Sequence, residues 1–478
     1  MVKIGLIPAA GAGVRAYPAT HYLSKVMLEI EGSPLILRNI ELLRDKLEIK
    51  EIYIIVGYLQ EQIKHFLGDG SQFGVSIHYI LCDQHTIGLA QGILLARNQI
   101  TEDFITILGD EIYLHSNHEQ LKDFKPNDYE VVCGLMQTDD LEMISKNYTV
   151  EITDNKITAL FEKPKTITTN LLGCGTYLFT PALFQAIETT QPSPISGKVE
   201  LTEVINNLAQ QGQKIYPFFL QGSYHNINSV EDYNFANYAY RSMFFNNFKV
   251  SVIIPAFNEA ESIGAVVKDF IKKVDEVLVI DNSSQDETKI IATHLGARVE
   301  TVNLKGYGDT IRYGLDQAKG DILVIVEADH SFRAKDLDKF LAYLKDADMV
   351  IGTRTTRQMI EQGANMQGLL RWGNVVVGKL VEILWWNQDS RFTDVGCTYR
   401  AIWKEAYKKI RDNLQGTGPE FSPEMMIAVL QARKRVIEIP ISYYKRLTGI
   451  SKHSENYFKI SKTALKMLKI IFKKRFNL

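Results

Sequence analysis

Two stretches of this chain, about half its length apart, begin in the same way. Residues 3–13 read KIGLIPAAGAG and residues 249–259 read KVSVIIPAFNE, so each is an apolar run that ends in small or polar residues. Such a run is typical of a buried strand in an α/β sheet, and nucleotides bind where such strands end. After each opening, strand-like and helix-like periods alternate. The pattern therefore predicts an α/β chain with two doubly wound, Rossmann-like sheets.

The length agrees with two domains, because 478 residues exceed what one hydrophobic core usually supports. We place the boundary after residue 246, in the segment MFFNNF that precedes the second opening strand. We therefore expect one domain over residues 1–246, a second over 247–452 and a helical tail over 453–478. The boundary has no Gly/Ser-rich or Pro-rich linker, so we expect the domains to touch.

The composition excludes several classes of protein. A formal net charge of −2 gives no overall attraction to nucleic acid. The N-terminus lacks the features of a signal peptide, and the apolar stretch WGNVVVGKLVEILWW is short and interrupted by Lys379 and Glu382, so we expect a cytoplasmic protein without a membrane span. No C-x-x-C pair occurs, which favours buried thiols over a zinc site for the four cysteines, Cys82, Cys133, Cys174 and Cys397.

The loop after the first opening strand combines glycines with basic residues. Gly11 and Gly13 let backbone N–H groups approach a phosphate, while Arg15 and Lys25 can neutralise the charge that develops on a departing pyrophosphate. The loop resembles the signature of sugar-phosphate nucleotidyltransferases, G-x-G-x-R-x-x-P-x-T followed by S-K. It matches that signature at Gly11, Gly13, Arg15, Pro18, Thr20, Ser24 and Lys25.

Three later motifs extend this resemblance to the glucose-1-phosphate uridylyltransferases and thymidylyltransferases. DQHTIGLAQG is similar to the segment that reads the base, which implies that Gln84 and Gly88 lie at the base edge. ILGDEIY is similar to the strand end whose aspartate, here Asp110, holds the catalytic Mg²⁺. FEKP implies that Glu162 binds the sugar hydroxyls and Lys163 binds the sugar phosphate.

The implied reaction is attack of a sugar 1-phosphate on the α-phosphate of a nucleoside triphosphate, with release of pyrophosphate. One position departs from the family. The family's second metal-binding aspartate lies in a segment like W-x-D-x-G-T-x-E-D-Y, and here YHNINSVEDY places Asn226 at that position. A neutral amide binds Mg²⁺ less strongly than a carboxylate. Either the metal is held more weakly, mostly by Asp110 and the phosphates with Asn226 as a weak ligand, or the domain is a nucleotide-binding module.

The second domain opens with VIIPAFNE, which contains Pro255, Asn258 and Glu259. This run is similar to the opening P-x-[YF]-N-E of the family-two inverting glycosyltransferases, which have the GT-A fold. Among them, the domain resembles the polyprenyl- and dolichyl-phosphate sugar synthases. The segment VIDNSSQDET makes Asp281 available to the base or ribose of the donor, with Asn282 where an acid is expected.

Two carboxylates at the end of a later apolar strand are the strongest feature of this half. Glu327 and Asp329 are one residue apart, so both can point into one crevice and bind a Mg²⁺ or Mn²⁺ that also holds the donor diphosphate. The family usually has Asp at both positions. The resemblance adds Gly306 and Gly308 as a glycine-rich donor-binding segment upstream.

Several downstream residues complete the predicted transferase site. Arg354, Arg446 and Lys452 are candidate phosphate-binding cations. Asp394 can orient the acceptor or take its proton, although an acceptor that is already a phosphate anion needs no strong base.

The tail has a basic and an apolar face. The residues of each face recur at helical spacing. The basic face contains Lys459, Lys462, Lys466, Lys469 and Lys473, and the apolar face contains Ile460, Ala464, Met467, Leu468 and Ile471. This predicts an amphipathic helix that either packs on the domain or lies on a membrane surface.

We therefore expect a magnesium-dependent bifunctional enzyme that is cytoplasmic or peripheral at a membrane. Its first domain makes a nucleotide-sugar from a nucleoside triphosphate and a sugar 1-phosphate. Its second domain transfers a sugar, with inversion, to an acceptor such as a polyprenyl phosphate. Two alternatives stay open: a cytidylyltransferase for a non-sugar phosphate, and an inactive nucleotide-binding domain beside an active transferase. The base, the sugar, the acceptor and the oligomeric state also stay open.

Overall fold

The computed structural model describes residues 2–17, 20–83, 88–194, 196–362, 364, 369–386, 391–447 and 457–476. The chain forms two compact units, Met1–Tyr240 and Arg241–Leu478. The division between the units lies shortly before the boundary expected after residue 246. Within the residue ranges given above, no helix is both long and apolar enough to cross a membrane.

The first unit is built around a seven-stranded sheet with the order β12-β8-β11-β6-β1-β4-β5. Among these strands β11 runs antiparallel to both neighbours, and the other pairs are parallel. The strands of the unit are β1 (Ile4–Ala9), β2 (Glu29–Ile30), β3 (Ser33–Pro34), β4 (Glu51–Val56), β5 (Ser76–Leu81), β6 (Phe104–Ile107), β7 (Glu111–Leu114), β8 (Val131–Gln137), β9 (Tyr148–Thr153), β10 (Lys156–Glu162), β11 (Leu171–Phe179), β12 (Ile215–Phe219) and β13 (Ser223–Asn226).

Helices cover both faces of this sheet, which explains why β1 is apolar along its whole length. Leu6 packs into one hydrophobic core and Ile7 into another, on opposite faces of the sheet. The helices of the unit are α1 (Leu35–Glu41), α2 (Gln60–Leu67), α3 (Leu89–Leu94), α4 (Leu141–Lys146), α5 (Ala182–Thr189), α6 (Leu201–Gln210) and α7 (Val230–Phe244), the last of which continues into the second unit.

The second unit contains another seven-stranded sheet, with the order β16-β15-β14-β17-β19-β18-β20. Its strands are β14 (Val250–Ala256), β15 (Glu276–Asp281), β16 (Arg298–Thr301), β17 (Ile322–Ile325), β18 (Met349–Thr353), β19 (Arg400–Trp403) and β20 (Val436–Pro440). Its helices are α8 (Ala260–Phe270), α9 (Thr288–His294), α10 (Tyr307–Gln317), α11 (Leu337–Leu344), α12 (Leu369–Leu384), α13 (Lys404–Ile410), α14 (Phe421–Gln431) and α15 (Tyr457–Phe476).

The two large sheets have the same topology. In each, the opening strand has two parallel strands to one side and four strands to the other, and the second of those four is antiparallel, β11 in one sheet and β19 in the other. This confirms the prediction of two doubly wound α/β domains. The loops after β1 and β6, and after β14 and β17, therefore occupy equivalent positions at the carboxyl edges of their sheets.

The tail helix α15 packs against the second unit. Ile471 is fully buried in the core, and Lys474 Nζ lies 3.1 Å from Oε1 of the buried Glu424. Lys466 and Lys469 point to solvent. The packed alternative is therefore observed at Ile471, whereas Lys466 and Lys469 are exposed and Lys473 donates to Gln415 Oε1 at 3.2 Å. The side chains of Lys459 and Lys462 lie outside the described residues.

Candidate active sites

Two adjoining cavities lie at the carboxyl edge of the first sheet. The larger, about 450 Å³, is lined by the glycine-rich loop, Gly88 and Lys198. The smaller, about 300 Å³, is lined by Asn147, Glu162, Lys163 and Glu200, among others. Arg15, Leu89, Leu108 and Asp110 line both, so they stand between a space suited to a nucleotide and a space suited to a second, smaller substrate.

The glycine-rich loop folds tightly over Lys25. Gly13 adopts a left-handed conformation with φ of 60°, and a Cβ atom there would lie 3.0 Å from Cβ of Lys25. The Thr20 hydroxyl donates to the Gly13 carbonyl at 2.7 Å and closes the loop. The two signature residues thus keep Lys25 largely buried beneath the loop, while Gly11 lines the larger cavity.

The two cations predicted to handle phosphate, Arg15 and Lys25, meet at Asn228, and Lys25 also contacts Asp110. Lys25 Nζ donates to Asp110 Oδ2 at 2.5 Å and to Asn228 Oδ1 at 3.3 Å. Arg15 Nη2 donates to the same Asn228 oxygen at 3.0 Å. The ammonium group of Lys25 therefore marks a position where a cation is held between a carboxylate and an amide oxygen. Sequence reasoning missed Asn228, which stands where the family pattern has glycine.

The smaller cavity contains the residues predicted to bind the sugar phosphate. Glu162 accepts a hydrogen bond from the Thr202 hydroxyl at 3.1 Å, and the backbone N–H of Lys163 donates to the Asn147 carbonyl at 2.7 Å. Lys163 has a positive φ of 43°, a strained conformation for a lysine that places it at the cavity wall. Glu200, at the start of α6, adds a second carboxylate that no motif had singled out.

The predicted base-reading segment is described only in part. Gly88 precedes α3 with φ of 94°, and Lys198 packs beside it. Gln84 and the signature proline, Pro18, lie outside the described residues.

Asn226 lies opposite a buried carboxylate. In the antiparallel pair of β13 and β7, Asn226 is the cross-strand partner of Glu111. Glu111 accepts hydrogen bonds from Tyr113 (2.5 Å), Tyr224 (2.7 Å) and the N–H of Gly175 (2.8 Å). Burial, together with the charge of Asp110, raises the pKa of Glu111 to about 7. Sequence reasoning also missed Glu111, whose only signal was its place beside Asp110.

In the second unit, Glu327 and Asp329 both form ion pairs with Arg446. Arg446 Nε lies 2.9 Å from Asp329 Oδ2, and Arg446 Nη2 lies 3.4 Å from Glu327 Oε2. Because a single guanidinium reaches both side chains, the pair fits a divalent ion that needs two protein carboxylates together with substrate phosphate oxygens. Burial and the charge of Asp329 raise the pKa of Glu327 to about 7. Among the described residues, no cluster of three or more His, Cys, Asp or Glu side chains forms a larger metal site in either unit.

The loops after β14 and β15 bind to each other. The backbone N–H of Asn258 donates to the Ser284 hydroxyl at 2.9 Å, and Asn258 Oδ1 accepts from the N–H of Gln285 at 2.8 Å. Asp281 is buried at the end of β15, Pro255 lies near the end of β14, and Glu259 begins α8. These predicted donor-binding residues therefore gather at the carboxyl edge of the sheet.

Asn282 stands where the family has an acidic residue, and its amide makes two hydrogen bonds to the backbone of Leu304. Its Nδ2 donates to the Leu304 carbonyl at 3.0 Å, and its Oδ1 accepts from the Leu304 N–H at 2.8 Å. A carboxylate could make only the second of these bonds.

Gly306 and Gly308 lie so close to the backbone of Gly416 and Thr417 that a side chain at either position would clash with it. A Cβ atom at Gly306 would lie 2.3 Å from the Thr417 carbonyl oxygen, and one at Gly308 would lie 2.3 Å from that of Gly416. The structure thus gives both glycines a packing role, and their binding of the donor stays a prediction.

Asp394 is held by Arg354 on both oxygens. Arg354 Nε donates to Oδ2 at 2.8 Å, and Arg354 Nη2 donates to Oδ1 at 2.9 Å. Burial acts to lower the pKa of Arg354, but the paired Asp394 raises it well above its usual value. Asp394 is itself fully buried, so this geometry favours an orienting role over removal of a proton from the acceptor. Lys452 lies outside the described residues.

Comparison with known proteins identifies a family for each half of the chain. Residues 4–242 match the family model of nucleotidyl transferases, and residues 251–410 match that of glycosyl transferase family 2. The UTP–glucose-1-phosphate uridylyltransferase AglF of Haloferax volcanii is 33% identical over 230 residues, which are 48% of this chain and 92% of AglF. The low-salt glycan biosynthesis nucleotidyltransferase Agl11 of the same organism is 31% identical over 236 residues, which are 49% of this chain and 64% of Agl11.

Two further proteins are similar. The bifunctional protein GlmU of Methanococcus maripaludis is 34% identical over 237 residues, which are 48% of this chain and 53% of GlmU. This chain therefore spans about half of GlmU and somewhat under two thirds of Agl11. The crystal structure of UDP-glucose pyrophosphorylase complexed with UDP-glucose covers 51% of this chain and 100% of its own, at 25% identity and a TM-score of 0.44. The chain belongs to the nucleotidyl transferase family and carries, after that domain, a glycosyl transferase family 2 domain.

Proposed function

We propose that the chain is a bifunctional enzyme. The first unit transfers a nucleotidyl group from a nucleoside triphosphate to a sugar 1-phosphate, giving a nucleotide-sugar and pyrophosphate. The second unit transfers a sugar from a nucleotide-sugar, with inversion, to a polyprenyl phosphate. The observation that carries the first activity is the position of Arg15 and Asp110 between the two adjoining cavities, with Lys25 bound to Asp110.

In the first unit, the larger cavity takes the nucleoside triphosphate and the smaller takes the sugar 1-phosphate. Glu162 orients the sugar through its hydroxyls, and Lys163 holds the sugar phosphate beside the α-phosphate. Arg15 and Lys25 stabilise the charge on the departing pyrophosphate. This chemistry needs positioning and charge more than a covalent intermediate. A Mg²⁺ ion held by Asp110 would supply further charge neutralisation at the phosphates.

Several observations favour a sugar 1-phosphate over a non-sugar phosphate. The smaller cavity contains the carboxylates of Glu162 and Glu200, which accept hydrogen bonds from hydroxyl groups. AglF, which the chain resembles along most of AglF's length, is named for UTP and glucose 1-phosphate.

In the second unit, Glu327 and Asp329 would hold Mg²⁺ or Mn²⁺, which would screen the charge of the donor diphosphate. Arg446 lies beside these carboxylates, within reach of the same phosphates. The buried pair of Arg354 and Asp394 fixes the loop in front of β19. An acceptor phosphate needs no base, so electrostatic positioning carries this reaction.

A lipid acceptor is supported by the surface of α12. Along one face of this helix and its following turn, at intervals of three and four residues, lie Trp372, Val376, Lys379, Ile383 and Trp386. The four apolar members of this set, which we call the α12 apolar face, are each more than half exposed. Exposed tryptophans beside lysines are typical of helices that lie in the plane of a membrane surface. The open lysines of α15 are suited to anionic lipid headgroups.

A pyrophosphate-release assay across nucleoside triphosphates and sugar 1-phosphates tests the first activity. We expect release with at least one pair, and none with choline phosphate plus CTP. Lys25→Ala is the matched inactive control. Release only with CTP and a non-sugar phosphate would support a cytidylyltransferase, and nucleotide binding without any release would support a binding module.

A further inference from the structure

A line of polar side chains runs from the buried Glu111 to the two cations of the first unit. Glu111 Oε1 faces Asn226 Nδ2 at 3.5 Å. Asn226 Oδ1 accepts from Asn228 Nδ2 at 2.9 Å. Asn228 Oδ1 then accepts from Arg15 at 3.0 Å and from Lys25 at 3.3 Å.

Each link in this line has one permitted direction. Arg15 and Lys25 can only donate, so the oxygen of Asn228 must face them and its NH₂ group must face Asn226. The Asn226 oxygen must therefore accept, which turns its NH₂ group towards Glu111 and towards Asn147 Oδ1, 3.4 Å away. Glu111 receives N–H and O–H donors from its other neighbours as well. The orientation required by the cations thus agrees with the orientation required by the carboxylate.

This arrangement explains why residue 226 is an amide. A carboxylate at this position could not donate to Glu111, and two acidic side chains on cross-strand partners would disfavour each other's ionised form. In this strand pair the acidic side chain is Glu111, and residue 226 is the amide that faces it. The Asn226 oxygen, which would have to bind a metal, is already bound by Asn228.

We propose that Glu111, Asn226 and Asn228 form a positioning relay for nucleotidyl transfer: Asn228 holds Arg15 and Lys25 beside Asp110, and Glu111 fixes the direction of both amides. Asn228 stands where the family pattern has glycine, so this hold on the cations is a property of this chain. The inference rests on the proposed nucleotidyl transfer, and it assigns Asn226 to the relay in place of the metal.

A charge exchange tests the part of the relay between Glu111 and Asn226. Asn226→Asp alone should lower kcat/KM for pyrophosphate release about tenfold, because the new carboxylate cannot donate to Glu111 and the two acidic side chains then face each other. The double variant Glu111→Gln/Asn226→Asp should recover most of this loss, because the amide introduced at position 111 can donate to the new carboxylate. Asn98→Asp, which makes the same change at an exposed position of the first unit, should behave like the parent.

A second variant tests the part of the relay that contacts the cations. Asn228→Ala should lower kcat for pyrophosphate release about tenfold at saturating substrates, because it releases the two cations that face the departing phosphates. Asn228 also lines the smaller cavity, so kcat and not the KM for the sugar 1-phosphate is the deciding quantity. A purely structural asparagine would lower the thermal unfolding midpoint without lowering kcat of the folded enzyme.

The relay and the proposed function fail in different ways. If the parent releases no pyrophosphate with any substrate pair, the proposed function fails, and unfolding midpoints still test the relay: Asn226→Asp should unfold at a lower temperature and the double variant should recover. If Asn226→Asp alone is fully active and needs less free Mg²⁺ than the parent, Asn226 is a metal ligand and the relay is wrong.

Discussion

At the scale of single residues, both sites pair a phosphate-binding cation with a carboxylate predicted to bind metal. Lys25 forms an ion pair with Asp110, and Arg446 forms ion pairs with Asp329 and Glu327. A partly buried charge without a partner is costly, so each pair holds its cation and carboxylates in place. The same pairing means that the cation must share its carboxylate, or leave it, when a divalent ion and phosphates bind.

A buried histidine of the first unit should give the protein a pH-dependent stability. His118 is fully buried between the hydroxyls of Ser116 (2.7 Å) and Thr176 (3.0 Å), and burial lowers its pKa from 6.5 to about 3. Below pH 6.5 the unfolded chain takes up a proton at this residue that the folded chain does not. The free energy of unfolding should therefore fall by up to about 1.4 kcal/mol per pH unit as the pH drops towards 3.

Denaturant unfolding of His118→Gln at pH 7.5, 6.5, 5.5 and 4.5 measures this contribution. The parent should lose more stability than the variant between pH 6.5 and 4.5. His65→Gln, at an exposed position, is the matched control and should follow the parent. Equal pH dependence of the parent and His118→Gln would show that another group is responsible.

At the scale of elements, α12 and α15 expose different chemistry on one unit. Val381 of α12 and Ile471 of α15 are buried in the core of the second unit and anchor the two helices. The α12 apolar face is left in solvent, where its burial would release about 25 cal/mol per Å² of apolar area. The exposed Lys466 and Lys469 of α15 add charge.

Replacing Trp372 and Trp386 by Ser should weaken binding to anionic liposomes, measured by sedimentation. It should also slow transfer to a membrane-embedded polyprenyl phosphate and largely spare a short, soluble analogue. Binding of the parent should fall as salt is raised, because the lysines are screened. Phe235→Ser, an exposed aromatic residue of the first unit, is the control. Undiminished liposome binding by the double Trp variant would exclude the α12 apolar face as the contact surface.

At the scale of the whole molecule, the sequence predicted the features that depend on local periodicity. The two opening strands, β1 and β14, lie where the apolar runs of residues 3–13 and 249–259 indicated. Motifs also singled out Arg15, Lys25 and Asp110, which line one cavity of the first unit. They could not predict the pairing of β13 with β7, because that register joins segments more than a hundred residues apart. Glu111 and Asn228 were missed for this reason, since their roles exist only once the two strands are side by side.

The last prediction concerns the independence of the two activities. Every described partner of Lys25 and Asp110 given above belongs to Met1–Tyr240, and every described partner of Asp329 belongs to Arg241–Leu478. Lys25→Ala should therefore abolish pyrophosphate release and leave sugar transfer from a supplied nucleotide-sugar at the parent's rate. Asp329→Ala should do the reverse, with transfer lost to membrane-embedded and soluble acceptors alike, because the donor diphosphate must be held whatever receives the sugar. Initial rates of both reactions on both variants decide the matter, and loss of both activities in either single variant would contradict two separate sites.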